Sequence, residues 1–451
     1  MKKKVLLSSI ATIALCLCLI AGSTFALFTS KSNVNIAVTA GEVDMVAGIA
    51  ITKLESVKGD VNGTIVDENG NTYSYEEVSP NFTNGGTAEV VGSVLTLDKI
   101  TPGDKVTFEI SGTNNSNVAI QYRYVIECLS GDDLMKGLEL TINNVAIDKY
   151  MESYTSPWAP LAVGTSMTNV PITIELPVSA GNEFQKESTE IRVLVEAVQG
   201  NAVVDANTDP VITYYNTAAT AEEALAAIAD PYLPVVNITE SFADQITVGD
   251  LTNKTINANG NNATIKFTGV LDNVVVTGIV DNDDAVPAVQ LSGATGDITI
   301  TDCVLFDHNS QPYGAVAGGN ADLSVTITNC ELSGDRPVYN SGAVNNLTIV
   351  DCEITDTTSW AVLMNAEVFG DLVIDNCTFT NCVGLFKATR AISGDFTFTN
   401  NEIVDCTLKN YVYVDAKVNG NITVSGNTMT SAGVAVDDDV TAVELLGVVQ
   451  N

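Results

Sequence analysis

The chain has 451 residues, with 55 Asp and Glu against 20 Lys and Arg, a single histidine and a formal charge of −35. Such acidity argues against nucleic acid and anionic membrane surfaces as partners, and the length allows two domains. One histidine, His308, with no His-Glu-x-x-His, also excludes a zincin-like site.

Residues 1–26 have the three parts of a secretory signal: Lys2, Lys3 and Lys4, an apolar stretch over 5–20, and the exit Thr24-Phe25-Ala26. The apolar run is short for a bilayer span of about 20 residues. Cleavage by signal peptidase between Ala26 and Leu27 is therefore expected, with a retained anchor as the alternative. Past the cut come Phe28, a polar spacer and an alternating strand carrying Val34, Ile36 and Val38.

Residues 27–200 read as separate alternating strands. Val106, Phe108 and Ile110 share a face, as do Ile120, Tyr122, Tyr124 and Ile126, and Ile191, Val193 and Val195. Turn signals such as Thr101-Pro102-Gly103-Asp104 and Asn114-Asn115-Ser116-Asn117 separate them. Period-two alternation with one buried face predicts an antiparallel jelly roll or β-sandwich. Trp158 belongs to its core or rim. Residues 201–219 read as a linker. Thr220 then precedes a capped helix of Ala221, Glu222, Glu223 and five small or apolar residues, the only convincing helix after the signal.

From about Val235 onward, within a domain spanning 220–451, the sequence repeats. Equivalent positions are Ile279, Cys303, Cys330, Cys352, Cys377, Asn401 and Asn427, at spacings of 24, 27, 22, 25, 24 and 26 residues. Each unit has an alternating strand, an Asn/Asp corner and a second apolar segment such as Trp360-Ala361-Val362-Leu363-Met364. Such a unit cannot bury its own face, so copies stack. A constant strand register with unequal loops predicts a right-handed parallel β-helix, closed at its N-terminal end by the helix. The chain is thus all-β.

Equivalent residues in adjacent coils lie about 4.8 Å apart, which makes the cysteines and asparagines an inward ladder. Cys16 and Cys18 leave with the signal, and the odd seven that remain are read as buried thiols packing as small hydrophobes, with disulfides as the alternative. Cys382 and Cys406 share a second position, five residues on, where an earlier coil has His308. No cofactor is expected. Asp281-Asn282-Asp283-Asp284 and Asp437-Asp438-Asp439 leave room for weak calcium binding, without EF-hand spacing.

Two stretches of the first half resemble the TasA/camelysin family. One is Gly22-Ser23-Thr24-Phe25-Ala26-Leu27-Phe28, followed by Thr39-Ala40-Gly41-Glu42-Val43-Asp44-Met45. The other is Leu97-Asp98-Lys99-Ile100-Thr101-Pro102-Gly103-Asp104-Lys105 with the turn at Asn114. The resemblance covers about residues 1–200. It implies a signal of the SipW-dependent type and a secreted jelly-roll subunit of extracellular matrix fibres. In such fibres the freed N-terminal strand, here Phe28, Val34, Ile36 and Val38, completes the sheet of the next subunit. The other reading makes it this domain's own first strand.

The repeats resemble pectate-lyase-type β-helices, an architectural likeness that carries no catalytic residues. A lyase needs Arg or Lys beside calcium-holding carboxylates, and the repeats offer only Lys254, Lys266, Arg336, Lys387, Arg390, Lys409 and Lys417. The expectation is a cell-surface or biofilm-matrix protein that self-associates or joins other matrix subunits. Its β-helix would be an adhesin-like binding or spacer module with a polysaccharide as candidate ligand. The alternative is a matrix-tethered polysaccharide lyase or glycoside hydrolase using two carboxylates.

Overall fold

The computed structural model of the protein describes residues 29–33, 43–59, 65–66, 70–184, 186–281, 286–308, 314–406, 412–414, 417–431 and 434–436. The signal-like segment through Ala26, together with Leu27, Phe28, Val34, Ile36, Val38 and the acidic run at Asp437, lies outside them. The chain divides into two compact units, Met1–Tyr215 and Asn216–Asn451.

The first unit is built from two antiparallel sheets. In one, Lys105–Asn114 lies between Met45–Gly59 and Val170–Glu175. In the other, Ile120–Ser130 pairs along the length of Ser188–Gln199. Val106, Phe108 and Ile110 from the first sheet and Ile191, Val193 and Val195 from the second are all buried. Ile120 and Ile126 are buried too, whereas Tyr122 and Tyr124 between them are half-buried. The Tyr124 ring stacks on Tyr154 with centroids 5.8 Å apart. Trp158 is half-buried, with the Arg123 guanidinium 4.7 Å from its ring centroid.

Three features depart from the sequence reading. The polar spacer after the expected cut is itself a strand: Thr29–Asn33 runs antiparallel to residues 194–198 of its own chain. Residues 188–192 of that long strand pair with Val94–Asp98, and its other edge is taken by Ile120–Ser130. The two short strands therefore share one edge. Secondly, Asp132–Gly137 is a further helix, with Lys136 bridging Asp132 and Asp133 and with Leu134 and Met135 buried. At six residues it is too short to show a helical period. Thirdly, residues 201–219 contain more than a linker. Val211–Tyr214 pairs with Met151–Thr155 in the first unit, and Thr217–Ala218 pairs in parallel with residues 237–238 in the second.

The second unit is a solenoid of about eight turns, with three parallel sheets as its sides. A turn runs, for example, through Val338–Asn340, Leu347–Val350 and Glu353–Thr355 before Trp360–Met364 begins the next. We name the sheets by their outward residues. The threonine sheet has ten strands, from Thr217–Ala218 to Ile422–Ser425, and the aromatic sheet has eight, from Ile246–Val248 to Val412–Val414. The glutamate sheet runs from Val304–Asp307 to Thr428–Ser431, where Val434–Val436 turns back antiparallel. Inward residues stack in columns such as Ile327, Ile349, Ile374 and Phe398.

Between the threonine and glutamate strands the chain turns through one left-handed residue. These are Gly278, Asp302, Asn329, Asp351, Asn376, Asn400 and Gly426, with φ of 70, 54, 51, 54, 53, 56 and 71°. Among L-residues, Asn and Asp tolerate that conformation best, which explains the Asn/Asp corners of the repeat.

Thr220 caps the helix Ala221–Ala229. Its hydroxyl accepts from the Glu223 amide at 3.2 Å, and the Glu223 carboxylate accepts from the Thr220 amide at 3.2 Å. Ala224, Ala227 and Ile228 are buried. We expect Thr220→Ala to destabilise the solenoid by about 1 kcal/mol, and residues 216–451 expressed alone to be soluble and monomeric by sedimentation. Aggregation of that fragment while the full chain stays dispersed would mean that the helix does not protect the open sheet edges.

Candidate binding face of the solenoid

The ladder lies inside the solenoid, just past the left-handed corner. The carbonyl of each ladder residue accepts from the residue that follows the next one, as in Cys303 O from Glu331 N at 2.8 Å and Cys330 O from Glu353 N at 2.9 Å. This ties Ile279, Cys303, Cys330, Cys352, Cys377, Asn401 and Asn427 into one column. From Cys330 onward the side chains reach the same target, the carbonyl three residues before the previous ladder position. Cys330, Cys352 and Cys377 sulfurs lie 3.7, 3.7 and 3.6 Å from it, and Asn401 and Asn427 amides donate at 3.1 and 2.9 Å.

Among the described residues no disulfide forms, and all seven cysteines are thiols. Contact with the Cys303 and Cys352 thiols, then burial, pushes the Cys330 thiol up. The Cys352 thiol and burial do the same to Cys377. Cys382 and Cys406 form a second column, the Cys382 amide donating to the Cys406 sulfur at 3.3 Å. The columns are interior packing.

The outward faces divide by chemistry. The threonine sheet presents Thr299, Thr326, Thr348, Val373, Thr397 and Thr423 in one row. The glutamate sheet presents Val304, Glu331, Glu353, Thr378, Glu402 and Thr428, and its strands contain no Lys or Arg. Beside it, Asp302, Asn329 and Asp351 line a hollow of about 440 Å³. A hydrogen bond from Asn329, then one from Thr301, holds the Asp302 carboxyl below the usual range.

The aromatic sheet is the reverse. None of its eight strands contains an Asp or Glu. One register column is Thr247, Lys266, Gln290, Ala317, Tyr339, Leu363 and Lys387, in which Ala317 and Leu363 are buried and the other five reach the surface. Trp360 stands in register with Gly384, and a Cβ at Gly384 would lie 2.6 Å from the indole, so the ring rests on the backbone of the next coil. The Lys387 ammonium lies 5.6 Å from the Trp360 centroid, and the Arg336 guanidinium 5.7 Å from that of Tyr339, both within cation–π reach. Asp335 pairs with Arg336 at 2.6 Å, and the Tyr339 hydroxyl accepts from Asn365 at 3.0 Å. Arg390, two residues past its strand, is exposed.

The sequence reading placed Trp360 only in an apolar segment and did not single out Tyr339. In strands of three to five residues, inward and outward positions cannot be told apart by alternation. The signal that could have found the face is the absence of acids from every second apolar segment of the repeat.

Asp281 and Asp307 are buried in consecutive coils. His308 Nε2 lies 3.5 Å from the Asp281 carboxylate and packs edge-on against Phe306. Asp307 accepts from the Gly314 amide at 3.1 Å and the Arg336 amide at 2.7 Å. Both its oxygens thus fasten the turn that leads to the aromatic sheet. Lys254 is spent in the same way, donating to the Asp230 carbonyl at 2.7 Å near the capping helix. Among the described residues no group of three His, Cys, Asp or Glu could hold a metal ion.

The description "Right handed beta helix region" matches residues 287–446. The second unit is a right-handed parallel β-helix. No curated protein matches the chain. Among solved structures, a variant of the catalytic domain of a GH87 alpha-1,3-glucanase in complex with nigerose is similar at 12% identity and a TM-score of 0.21, over 75% of this chain and 79% of that one. The catalytic domain without a substitution, also with nigerose, gives 12%, 0.15, 75% and 92%. Another variant, with tetrasaccharides, gives 11%, 0.13, 89% and 99%. At such scores the likeness says nothing about substrate.

Proposed function

We propose that the protein is an exported surface or matrix subunit, with the sandwich serving assembly and the β-helix displaying a ligand-binding face. The observation that carries the display role is the aromatic sheet. In a chain with nearly three acids to each base, a sheet free of acids that bears Trp360, Tyr339, Lys266 and Lys387 is a selective surface. The threonine and glutamate rows serve as its scaffold. A glycan array with parallel turnover assays tests this reading against the enzymatic alternative. Capture of a glycan without new reducing or unsaturated ends is the expected result, and turnover would replace the display role with catalysis.

The assembly role rests on the TasA/camelysin resemblance and on the shared strand edge. Thr29–Asn33 covers residues 194–198 of its own chain, and the same backbone hydrogen bonds are available to that segment from another copy. Burying an apolar side chain of the neighbouring residues Val34, Ile36 and Val38 would add roughly 1.5–3 kcal/mol before ordering costs. Ile36→Asp is expected to leave the circular dichroism spectrum intact and to abolish fibres seen by electron microscopy. Unchanged fibres would rule out exchange through this strand, and outright unfolding would assign it to its own sandwich.

A further inference from the structure

We propose that the aromatic sheet binds a carboxylate-bearing polysaccharide laid along the solenoid axis, one sugar ring stacking at Trp360 and its acid groups meeting Lys387 and Arg390. This rests on the display reading above and names its ligand class. Three observations point there together. The indole lies flat on Gly384, the arrangement that offers a ring face to a sugar. The cations stand beside the aromatic rings, at 5.6 Å for Lys387 on Trp360 and 5.7 Å for Arg336 on Tyr339. The strands themselves bring no carboxylate to repel an anionic ligand.

Scale and charge favour a polymer. Tyr339 and Lys387 are two coils apart in one row, about 10 Å at the spacing of adjacent strands. A thin polyanion running along that row touches only this face, and charges more than a Debye length away are screened at physiological salt.

The test uses the full chain and affinity gel electrophoresis with polygalacturonate, alginate and neutral dextran, each at low and high salt. Expected is retention by one of the acidic polymers and none by dextran, weakening as salt rises from about 0.05 to 0.5 M. Trp360→Ala should weaken binding roughly tenfold or more, and so should the double change Lys387→Gln with Arg390→Gln. Thr326→Ala on the threonine sheet should leave it unchanged. Should Trp360→Ala fail to fold by circular dichroism, Trp360→Phe and the double change decide. Dextran binding that ignores salt and the double change would overturn the anionic class while leaving the display reading standing. Retention by none of the polymers, with no hit on the array, would sink both. Salt-sensitive self-association by sedimentation, removed by the double change, would assign the face to a second copy instead.

Discussion

Asn401→Ala is expected to lower the stability of the β-helix by about 3 kcal/mol, whereas Cys352→Val, in the same column, should cost less than about 1.5 kcal/mol. The Asn401 side chain accepts from the Cys377 amide at 2.9 Å and donates to the Ile374 carbonyl at 3.1 Å, in a position that is 1% exposed. Alanine removes both partners where water cannot replace them, and each orphaned buried group costs roughly 1–3 kcal/mol. The Cys352 thiol makes a longer approach, 3.7 Å to the Ile327 carbonyl, and a shorter one of 3.1 Å to Val350. A thiol is a weak donor, and valine restores most of its volume. Urea titrations of both variants, followed through the β-helix transition alone, give the comparison. Equal losses would mean that the column holds by packing and not by hydrogen bonding.

Asp104→Ala should remove about 3 kcal/mol from the sandwich and shift its melting by roughly 6–12 °C, with the β-helix transition unmoved. The Asp104 carboxylate is buried and accepts from the Ser56 hydroxyl at 2.6 Å, the Thr101 amide at 2.7 Å and the Thr101 hydroxyl at 2.9 Å. Beside it, Gly103 has φ of +89°, and a Cβ there would lie 2.5 Å from that of Val57. Its amide donates to the Leu176 carbonyl at 2.7 Å, and its carbonyl accepts from the Val57 amide at 3.0 Å. Gly103→Ala should therefore match Asp104→Ala in effect. Differential scanning calorimetry that shows both transitions falling together would mean that the two units unfold as one.

The same contacts show what the quoted family-like motif does. Pro102-Gly103-Asp104 ties Met45–Gly59 to the chain after Val170–Glu175, and Asn114, fully buried, donates to the carbonyls of Val118, Leu161 and Ala162 at 3.0–3.2 Å. These residues fix turns. The resemblance was visible because turn chemistry restricts residue choice more tightly than strand packing does.

Legibility followed the strength of local constraint. The left-handed corner admits few residue types, so Asp302, Asn329, Asp351, Asn376 and Asn400 announced each coil. The capping box at Thr220 and Glu223 was equally plain. Thr29–Asn33 was not, because its five polar residues carry no alternation and only tertiary pairing makes them a strand. The six-residue helix at Asp132 and the edge strand Val211–Tyr214 were missed because each is too short to show a period. The candidate face lay hidden in strands too short for a period, and became visible only when register set Trp360 on Gly384 and Tyr339 in line with Lys387.

Only Tyr215 and Asn216 separate the last paired strand of the sandwich from the first of the β-helix. Load passed along the chain from the second unit reaches Val211–Tyr214 first, whose partner on the sandwich is the short strand Met151–Thr155. That four-residue strand ends its sheet and pairs with one neighbour, so it is expected to peel first under load. It can peel while both hydrophobic cores stay shut, paying out residues 201–215 as a shock absorber before either unit is torn.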